Sequence, residues 1–445
     1  MKTTHLGSNY IQFNPAKVLA LSFIGIIIIG SVLLALPIST KDLAGIPYID
    51  ALFTATSAIC VTGLVVVDTA DAFSIFGQVV IMVLIQIGGL GLMTFAILVA
   101  MVLGLRISFT QRLILQETFS RNSVQGVVNL LKHVLVITFI MELLGTLLLA
   151  FHWYPEMGQK AFYYGLFHTI SAFNNAGFDL FGNSLAGFKT DFMTNSIIMV
   201  LFIFGGLGFF VISDLYTQRS LKKISYHSKL AIIFSGVLII TGFLIIFLLE
   251  YNNPDTLGAL SIGEKVMVAL FTSTTTRTAG FSTLDIAALN QASLLLILLL
   301  MFIGASPGST GGGVKTTTFG VIVSSTLAGI SNKKQSILFH RAISNEIIVK
   351  SQTIIFLSVF LIFLATFIMS IYESNPFMEI LFEVVSAFGT VGLSTGLTPE
   401  LSLQGKLVII FTMYTGRIGP LALFYVLSRN SKELVKYPTG NIMIG

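Results

Sequence analysis

Four triplets in this chain place a glycine where main-chain carbonyl oxygens can be turned toward a cation. They are Val61-Thr62-Gly63, Asn175-Ala176-Gly177, Thr278-Ala279-Gly280 and Thr390-Val391-Gly392. Glycine tolerates the backbone dihedrals that such a turn needs. Extended backbone beyond a helix end can then offer carbonyls in place of an ion's hydration shell. Each triplet follows a Leu-Phe pair, at Leu52-Phe53, Leu166-Phe167, Leu270-Phe271 and Leu381-Phe382. The phenylalanine precedes the glycine by ten residues in three copies and by nine in the copy ending at Gly280. Successive glycines are 114, 103 and 112 residues apart. Self-similarity in fixed order marks a repeat, and this period is too long for a solenoid unit. Each copy is therefore read as a small bundle: residues 1–110, 111–220, 221–335 and 336–445.

The elements that must hold these triplets follow from hydropathy. Hydrophobic residues make up 54% of the 445 and charged residues 10%, with a mean hydropathy of +0.90. A soluble domain carries about 25% charged residues. Taking about 20 apolar residues as one crossing, each repeat holds two spans with a triplet between them. These are 17–38 and 73–105; 127–151 and 191–216; 229–250 and 291–304, continuing near 314–330; and 346–372 and 405–427. The expected fold is an all-α polytopic membrane protein: eight membrane-spanning helices plus four re-entrant pore helices, as four helix–pore-loop–helix repeats around one central pore. Backbone without helical pairing cannot face lipid, where each unpaired group costs several kcal/mol, so the four loops must line a common water- or ion-filled space. A short helix pointing its C-terminus inward adds partial negative charge there. Thr390-Val391-Gly392 is identical to the start of the potassium-channel filter signature, and the other triplets keep only the glycine. One such glycine serves close helix packing equally well. Four in register, each between two spans, favour the pore.

Cations set the expected orientation. Arg106, Arg112, Arg121 and Lys132 lie between the first two repeats or just inside the next span. Arg219, Lys222, Lys223 and Lys229 follow the second, and Lys333, Lys334, Arg341 and Lys350 the third; Arg429, Lys432 and Lys436 follow the last span. The positive-inside rule then puts both termini and the inter-repeat loops in the cytoplasm, in a multi-pass protein of the cell membrane. The re-entrant segments open outward and carry carboxylates instead, Asp50, Asp179, Asp191, Glu264 and Glu383 among them. These either raise the local cation concentration or are ordinary solvated loop charges. Cys60 is the only cysteine, which excludes an intramolecular disulfide and zinc sites built on several thiolates. The first apolar run is long enough to span and lacks a cleavage pattern, so it reads as a retained helix.

At this point the chain resembles the Trk/Ktr/HKT superfamily of potassium transporters, most closely its KtrB-type membrane subunits. The resemblance covers nearly the entire length and rests on the four single-glycine triplets, on Thr276-Arg277-Thr278-Ala279-Gly280-Phe281 and on the glycine-rich stretch described next. It implies potassium selectivity, because members with serine at the first filter glycine tend to favour sodium and this chain has Gly63. It also implies a homodimer and a cytosolic ring of nucleotide-binding RCK-type subunits (KtrA type). The potassium-channel signature has a second glycine two residues on. Here those positions are Val65, Asp179, Ser282 and Ser394.

After each triplet the second span is interrupted, at Gly88-Gly89, Gly205-Gly206, Gly304 and Gly416. The third interruption is the most severe: Gly304-Ala305-Ser306-Pro307-Gly308-Ser309-Thr310-Gly311-Gly312-Gly313. Its proline and glycines cannot sustain a helix, and the resemblance identifies it as an intramembrane loop gating the pore. Gly308 through Gly313-Val314-Lys315-Thr316 nearly matches a phosphate-binding loop. However, Val314 separates glycine from lysine and no strand precedes it, which argues against a nucleotide. Arg417 lies in the last span, and an ionisable residue there is a functional candidate by default. Its expected partners are loop carbonyls or the hydroxyls of Ser306, Ser309 and Thr310; the alternative is a helix–helix staple away from the pore. Arg277 reads as a strut behind the third triplet, with Glu383 or Glu142 as partner, and His168 as a packed polar residue.

Three functions compete. A passive or channel-like potassium subunit fits parallel repeats with both termini inside. A coupled secondary transporter, with Na⁺ as activator or co-ion, would place substrate sites at the midplane. An intramembrane enzyme lacks any supporting constellation. The expected ligand is K⁺ at the triplets, with no covalently bound cofactor. The expected surroundings are the lipid bilayer and protein partners, with no nucleic acid.

Overall fold

The computed structural model describes residues 15–91, 127–218, 220, 222–333 and 335–420. The long apolar runs become long helices: α1 (Pro15–Ala35), and, further along the chain, Val127–Met157, Tyr226–Glu250 and Asn345–Tyr372, of 21, 31, 25 and 28 residues. At about 1.5 Å per residue each reaches or exceeds the roughly 30 Å hydrocarbon layer of a bilayer. Their outer faces are apolar and bare, with Leu21, Leu248 and Phe356 67%, 73% and 71% exposed.

Each long helix is followed by a short one. These are α2 (Tyr48–Cys60), then Lys160–Phe173, Ile262–Thr275 and Phe377–Gly389, of 13 or 14 residues and too short to cross. Proline starts the first and last of them, and a Ser261–Glu264 capping box starts the third. They are buried although they carry Thr54, Thr56, Ser57 and the run Thr272-Ser273-Thr274-Thr275. Polar helices inside and apolar helices outside invert the packing of a water-soluble protein, as a lipid environment requires.

The second helix of each repeat comes next. Numbering in chain order, α3 is Ile75–Leu90, α4 Val127–Met157, α5 Lys160–Phe173, α6 Phe192–Leu207, α7 Phe209–Gln218, α8 Tyr226–Glu250 and α9 Ile262–Thr275. The remainder are α10 Gln291–Phe302, α11 Thr316–Ile330, α12 Asn345–Tyr372, α13 Phe377–Gly389 and α14 Leu403–Ile418. α6 and α7 meet at 96°. The only strands among the described residues form a hairpin, Ile337–Leu338 against Arg341–Ala342. The fold is an all-α polytopic membrane protein of four helix–pore-loop–helix repeats, with its short helices gathered at the centre.

The interruptions fall elsewhere than the paired glycines suggest. In three repeats the helix ends three residues later, at Gly91, Gly208 and Gly419, with φ of 79°, 95° and 92°. Gly88, Gly205 and Gly416 stay helical and allow close approach. A Cβ on them would lie 2.0, 1.9 and 2.0 Å from the carbonyl oxygens of Ile59, Phe173 and Phe388. In the third repeat the helix already ends at Phe302. The later parts of the expected spans 73–105 and 405–427 lie outside the described residues, as do the expected boundary at 110 and Arg106, Arg112, Arg121, Arg219, Lys334, Arg429, Lys432 and Lys436.

Contacts between repeats run round a closed circuit. Tyr163 donates to Gln78 (2.8 Å), and the Asn174 amide to Gln86 (2.9 Å), joining repeats one and two. The Leu185 N–H donates to the Ser282 carbonyl (2.9 Å), joining two and three. Phe302 stacks on Phe388 at 6.4 Å between centroids, joining three and four. Lys406 pairs with Asp50 at 2.6 Å, joining four back to one.

Candidate functional site

The four triplets share one backbone shape. The residue two before each glycine is left-handed: Val61, Asn175, Thr278 and Thr390 have φ of 57°, 59°, 68° and 50°. The glycines follow at 90°, 69°, 78° and 91°. Only asparagine tolerates this region readily, and each of the others costs on the order of 1–3 kcal/mol. The chain ends of the short helices enforce it. Val61 N–H reaches the Ala58 carbonyl (3.2 Å) and Thr62 N–H the Ser57 carbonyl (2.8 Å), with matching bonds from Asn175, Ala176, Thr390 and Val391. These tie the N–H groups back to the helix. In repeats one and four a further N–H is held, because the hydroxyls of Ser57 and Ser386 accept from Gly63 and Gly392 at 3.1 Å.

The glycines then meet one another in order around a ring. A Cβ on Gly63 would lie 2.4 Å from the Ala176 carbonyl oxygen, and one on Gly177 would lie 2.9 Å from Gly280 Cα. One on Gly280 would lie 2.5 Å from the Val391 oxygen, and one on Gly392 would lie 2.1 Å from the Thr62 oxygen. All twelve triplet residues are therefore brought together. No side chain larger than hydrogen fits at any of the four glycines without displacing neighbouring backbone.

The stretch from Gly304 to Gly313 lies directly against this ring. Gly312 N–H donates to the Thr390 hydroxyl (2.9 Å), and a Cβ on Gly311 would strike the Thr278 hydroxyl at 1.9 Å. Thr310 donates to the Asn175 side chain (2.9 Å), whose amide reaches the Arg277 carbonyl (3.3 Å). Ser306 N–H binds the Gly206 carbonyl (3.1 Å), Thr310 N–H the Gly205 carbonyl (3.3 Å) and Gly313 N–H the Gly416 carbonyl (3.3 Å). Phe209 N–H, at the start of α7, donates to the Gly308 carbonyl (2.9 Å), while a Cβ on Gly208 would lie 2.7 Å from the Pro307 carbonyl. Ser309 folds back onto the Ser306 carbonyl (2.6 Å), and Ser306 faces Thr316 at 3.1 Å. Ala305 is fully buried, and a Cβ on Gly304 would lie 2.2 Å from the Gly312 oxygen. The loop thus hangs directly on the second and fourth repeats.

Two cations hold its carbonyls. The Arg417 guanidinium donates to the carbonyls of Thr310 and Gly88, bridging the loop to α3. The hydroxyls of Ser306, Ser309 and Thr310 are engaged elsewhere. Lys315 Nζ donates to the Gly311 carbonyl at 2.7 Å and to Gly312 at 3.4 Å. Sequence reasoning did not single out Lys315, although a lysine two residues past Gly313, inside an apolar stretch, carries the same signal as Arg417.

Other expectations are corrected. Glu383 does not face Arg277; it accepts from Ser394 (2.5 Å), Thr395 N–H (3.0 Å) and Thr398 (2.6 Å). Glu142 accepts from Asn174 at 3.2 Å. Most outer carboxylates have local work: Asp50 pairs with Lys406, and Glu264 caps its helix. Partial burial opposes the charge of Asp191, but hydrogen bonds with Thr194 and His152 hold its carboxyl below the usual carboxylate range. His168 is fully buried, bonds the Tyr164 carbonyl at 2.8 Å and stacks on Phe181 at 4.5 Å. No group of three His, Cys, Asp or Glu among the described residues is placed to hold a metal ion.

Comparison with known proteins gives the family. Residues 15–437 match the TrkH family, described as a cation transport protein. The chain belongs to that family. It is 45% identical over 437 residues to the Ktr system potassium uptake protein B of Bacillus subtilis, covering 98% of each chain. It is 40% identical to the protein of the same name from Vibrio alginolyticus, covering 96% of this chain and 94% of that one. It is 38% identical to the potassium/sodium uptake protein NtpJ of Enterococcus hirae, covering 98% of each. The fold matches the crystal structure of the potassium transporter TrkH from Vibrio parahaemolyticus, with a TM-score of 0.76 at 19% identity over 94% of this chain and 86% of that one.

Proposed function

We propose that this TrkH-family chain is the ion-translocating membrane subunit of a potassium uptake system. The four triplets act as its selectivity filter, and the loop 304–313 with Arg417 acts as its gate. The observation that carries the reading is the closed ring in which each glycine abuts the carbonyl-bearing backbone of the next repeat. With the N–H groups tied back, carbonyl oxygens are left to replace the hydration shell of a cation at the centre. The loop beneath, held by Arg417 and Lys315, bars the path and sets positive charge across it. A cation passes when the loop leaves Thr278, Thr390 and Asn175.

The relatives named for potassium uptake support K⁺ as the transported ion. The bare Lys222 and Lys223 lie on the face joining the repeats, which supports an orientation with that face in the cytoplasm. There a nucleotide-binding RCK-type ring would dock on a homodimer of this chain, in the cell membrane. A second reading, a less selective monovalent-cation transporter with Na⁺ as co-ion, is favoured by the potassium/sodium relative and by the missing second filter glycine. Flux of K⁺, Rb⁺ and Na⁺ into proteoliposomes holding the purified chain tests both. K⁺ and Rb⁺ uptake well above Na⁺, without a Na⁺ requirement, supports the first reading. K⁺ uptake that stops without Na⁺ supports the second.

A further inference from the structure

Arg277 stands immediately before the third triplet and is only 7% exposed. Its Nη1 has no hydrogen-bond partner, and no carboxylate among the described residues pairs with it. Arg417 and Lys315 are also cations at membrane depth, yet both donate to carbonyls. Arg277 instead borders a cavity of about 20 Å³ between α6, α8 and α9. The same cavity is lined by Ser235, 4% exposed, whose hydroxyl is likewise unpartnered. Phe202, Ile203, Leu207 and Ile239 supply apolar walls.

A guanidinium and a hydroxyl, both able to donate and both unpartnered, thus border one small space whose other walls are mostly apolar. The space has room for an occupant of one or a few atoms. A single water would accept from the guanidinium and satisfy Ser235, but it carries no charge. Desolvating a full cation in low dielectric is offset by aimed carbonyls, as at Arg417 and Lys315, or by an opposite charge, and Arg277 Nη1 has neither from the protein. The two carboxylates expected as its partners, Glu383 and Glu142, are engaged by other groups. We infer that this cavity binds a monatomic anion, chloride under physiological conditions, between Arg277 and Ser235. Bound there, the anion neutralises Arg277 and so removes a repulsive field from the backbone of the third triplet. The site stands on its own residues, whatever passes the ring.

Bromide tests this directly, because it replaces chloride and scatters anomalously. The full chain is crystallised in sodium bromide and anomalous difference maps are collected. A peak is expected within hydrogen-bond reach of both the Arg277 guanidinium and the Ser235 hydroxyl. Ser235→Ala should lower its occupancy about fivefold or more, as expected for a hydrogen bond to a charged partner. Ser235→Leu, which fills the cavity and keeps the arginine, should abolish the peak. A cavity holding only a light-atom peak in bromide overturns the inference in favour of water. So does a bromide peak that persists in Ser235→Leu.

Discussion

The ring of four glycines and the layer just beneath it obey different symmetries. In the ring, every quadrant repeats one backbone shape, and each glycine is closed off by its neighbour at 2.1 to 2.9 Å. One residue past Gly88, Gly205, Gly304 and Gly416, the layer below presents Gly89, Gly206, Ala305 and Arg417. Three small residues and one arginine occupy equivalent positions. In three quadrants the helix ends at a glycine with positive φ, whereas the third is non-helical from Ile303 to Lys315. An ion centred on an axis is best coordinated by equal quadrants, so a coordinating layer keeps its symmetry. A barrier needs one movable part and three fixed ones to hold it, so a gating layer loses it. On the proposed reading, substitutions in the ring should act alike in all quadrants, and those in the layer below should not.

The largest effect is expected at the ring. Gly392→Ala and Gly63→Ala place a methyl 2.1 and 2.4 Å from a neighbouring carbonyl oxygen, on a backbone that already disfavours a side chain. Displacing a carbonyl by that much costs several kcal/mol, and each 1.4 kcal/mol is a tenfold change. Potassium flux should fall on the order of 100-fold in both, and Gly63→Ser should lose discrimination of K⁺ over Na⁺. Gly91→Ala and Gly419→Ala meet open space instead and suffer only the dihedral cost, so flux should change less than about tenfold. Equal losses at Gly392 and Gly419, measured by ⁸⁶Rb⁺ uptake in proteoliposomes, would erase the distinction between the layers.

Next in size is the arginine. Arg417→Ala removes the donors to Thr310 and Gly88 and should raise resting flux about tenfold or more. Arg417→Lys should be intermediate, since an ammonium keeps charge without the planar fork. Deleting residues within 306–313 should also raise flux, and combining it with Arg417→Ala should add little, because both act on one closed state. Full additivity would make Arg417 a packing residue. Lys315→Met frees two loop carbonyls while leaving Arg417 in place. It should raise resting flux only a few-fold, and lower resting flux would count against a closed state held from both sides.

The triplets and the loop were legible because they repeat or because they break a helix, and both leave marks in residue type. The left-handed turn at Val61, Thr278 and Thr390 was not, since nothing in valine or threonine favours it; the helix ends impose it. The break positions were misread because a Gly-Gly pair looks like a weak point. Gly88 and Gly205 in fact stay helical, spending their missing side chains on a carbonyl of the preceding short helix. The partners of Arg277 were illegible for another reason. Glu383 finds three donors within 15 residues of itself, and sequence distance carries no information about which charge a folded chain leaves alone.

The smallest effect tests how equal the quadrants are. The serines six residues before the glycines in repeats one, two and four are Ser57, Ser171 and Ser386. Ser57 and Ser386 accept the N–H of Gly63 and Gly392, whereas the Ser171 hydroxyl has no partner. Such a bond is worth about 1 kcal/mol, or roughly fivefold. Without it the glycine N–H is free to turn toward the axis, where it repels a cation and loosens the grip of the adjacent carbonyls. Ser57→Ala and Ser386→Ala should therefore lower the ratio of K⁺ to Na⁺ flux about three- to tenfold each. Ser171→Ala should leave that ratio within about twofold of the unsubstituted chain. The two effective serines are in repeats that adjoin across the Thr62–Gly392 contact, so their double substitution should depart from additivity. Equal effects at all three serines would mean that the second quadrant is held by its serine after all, and the ring would be more symmetric than its hydrogen bonds indicate.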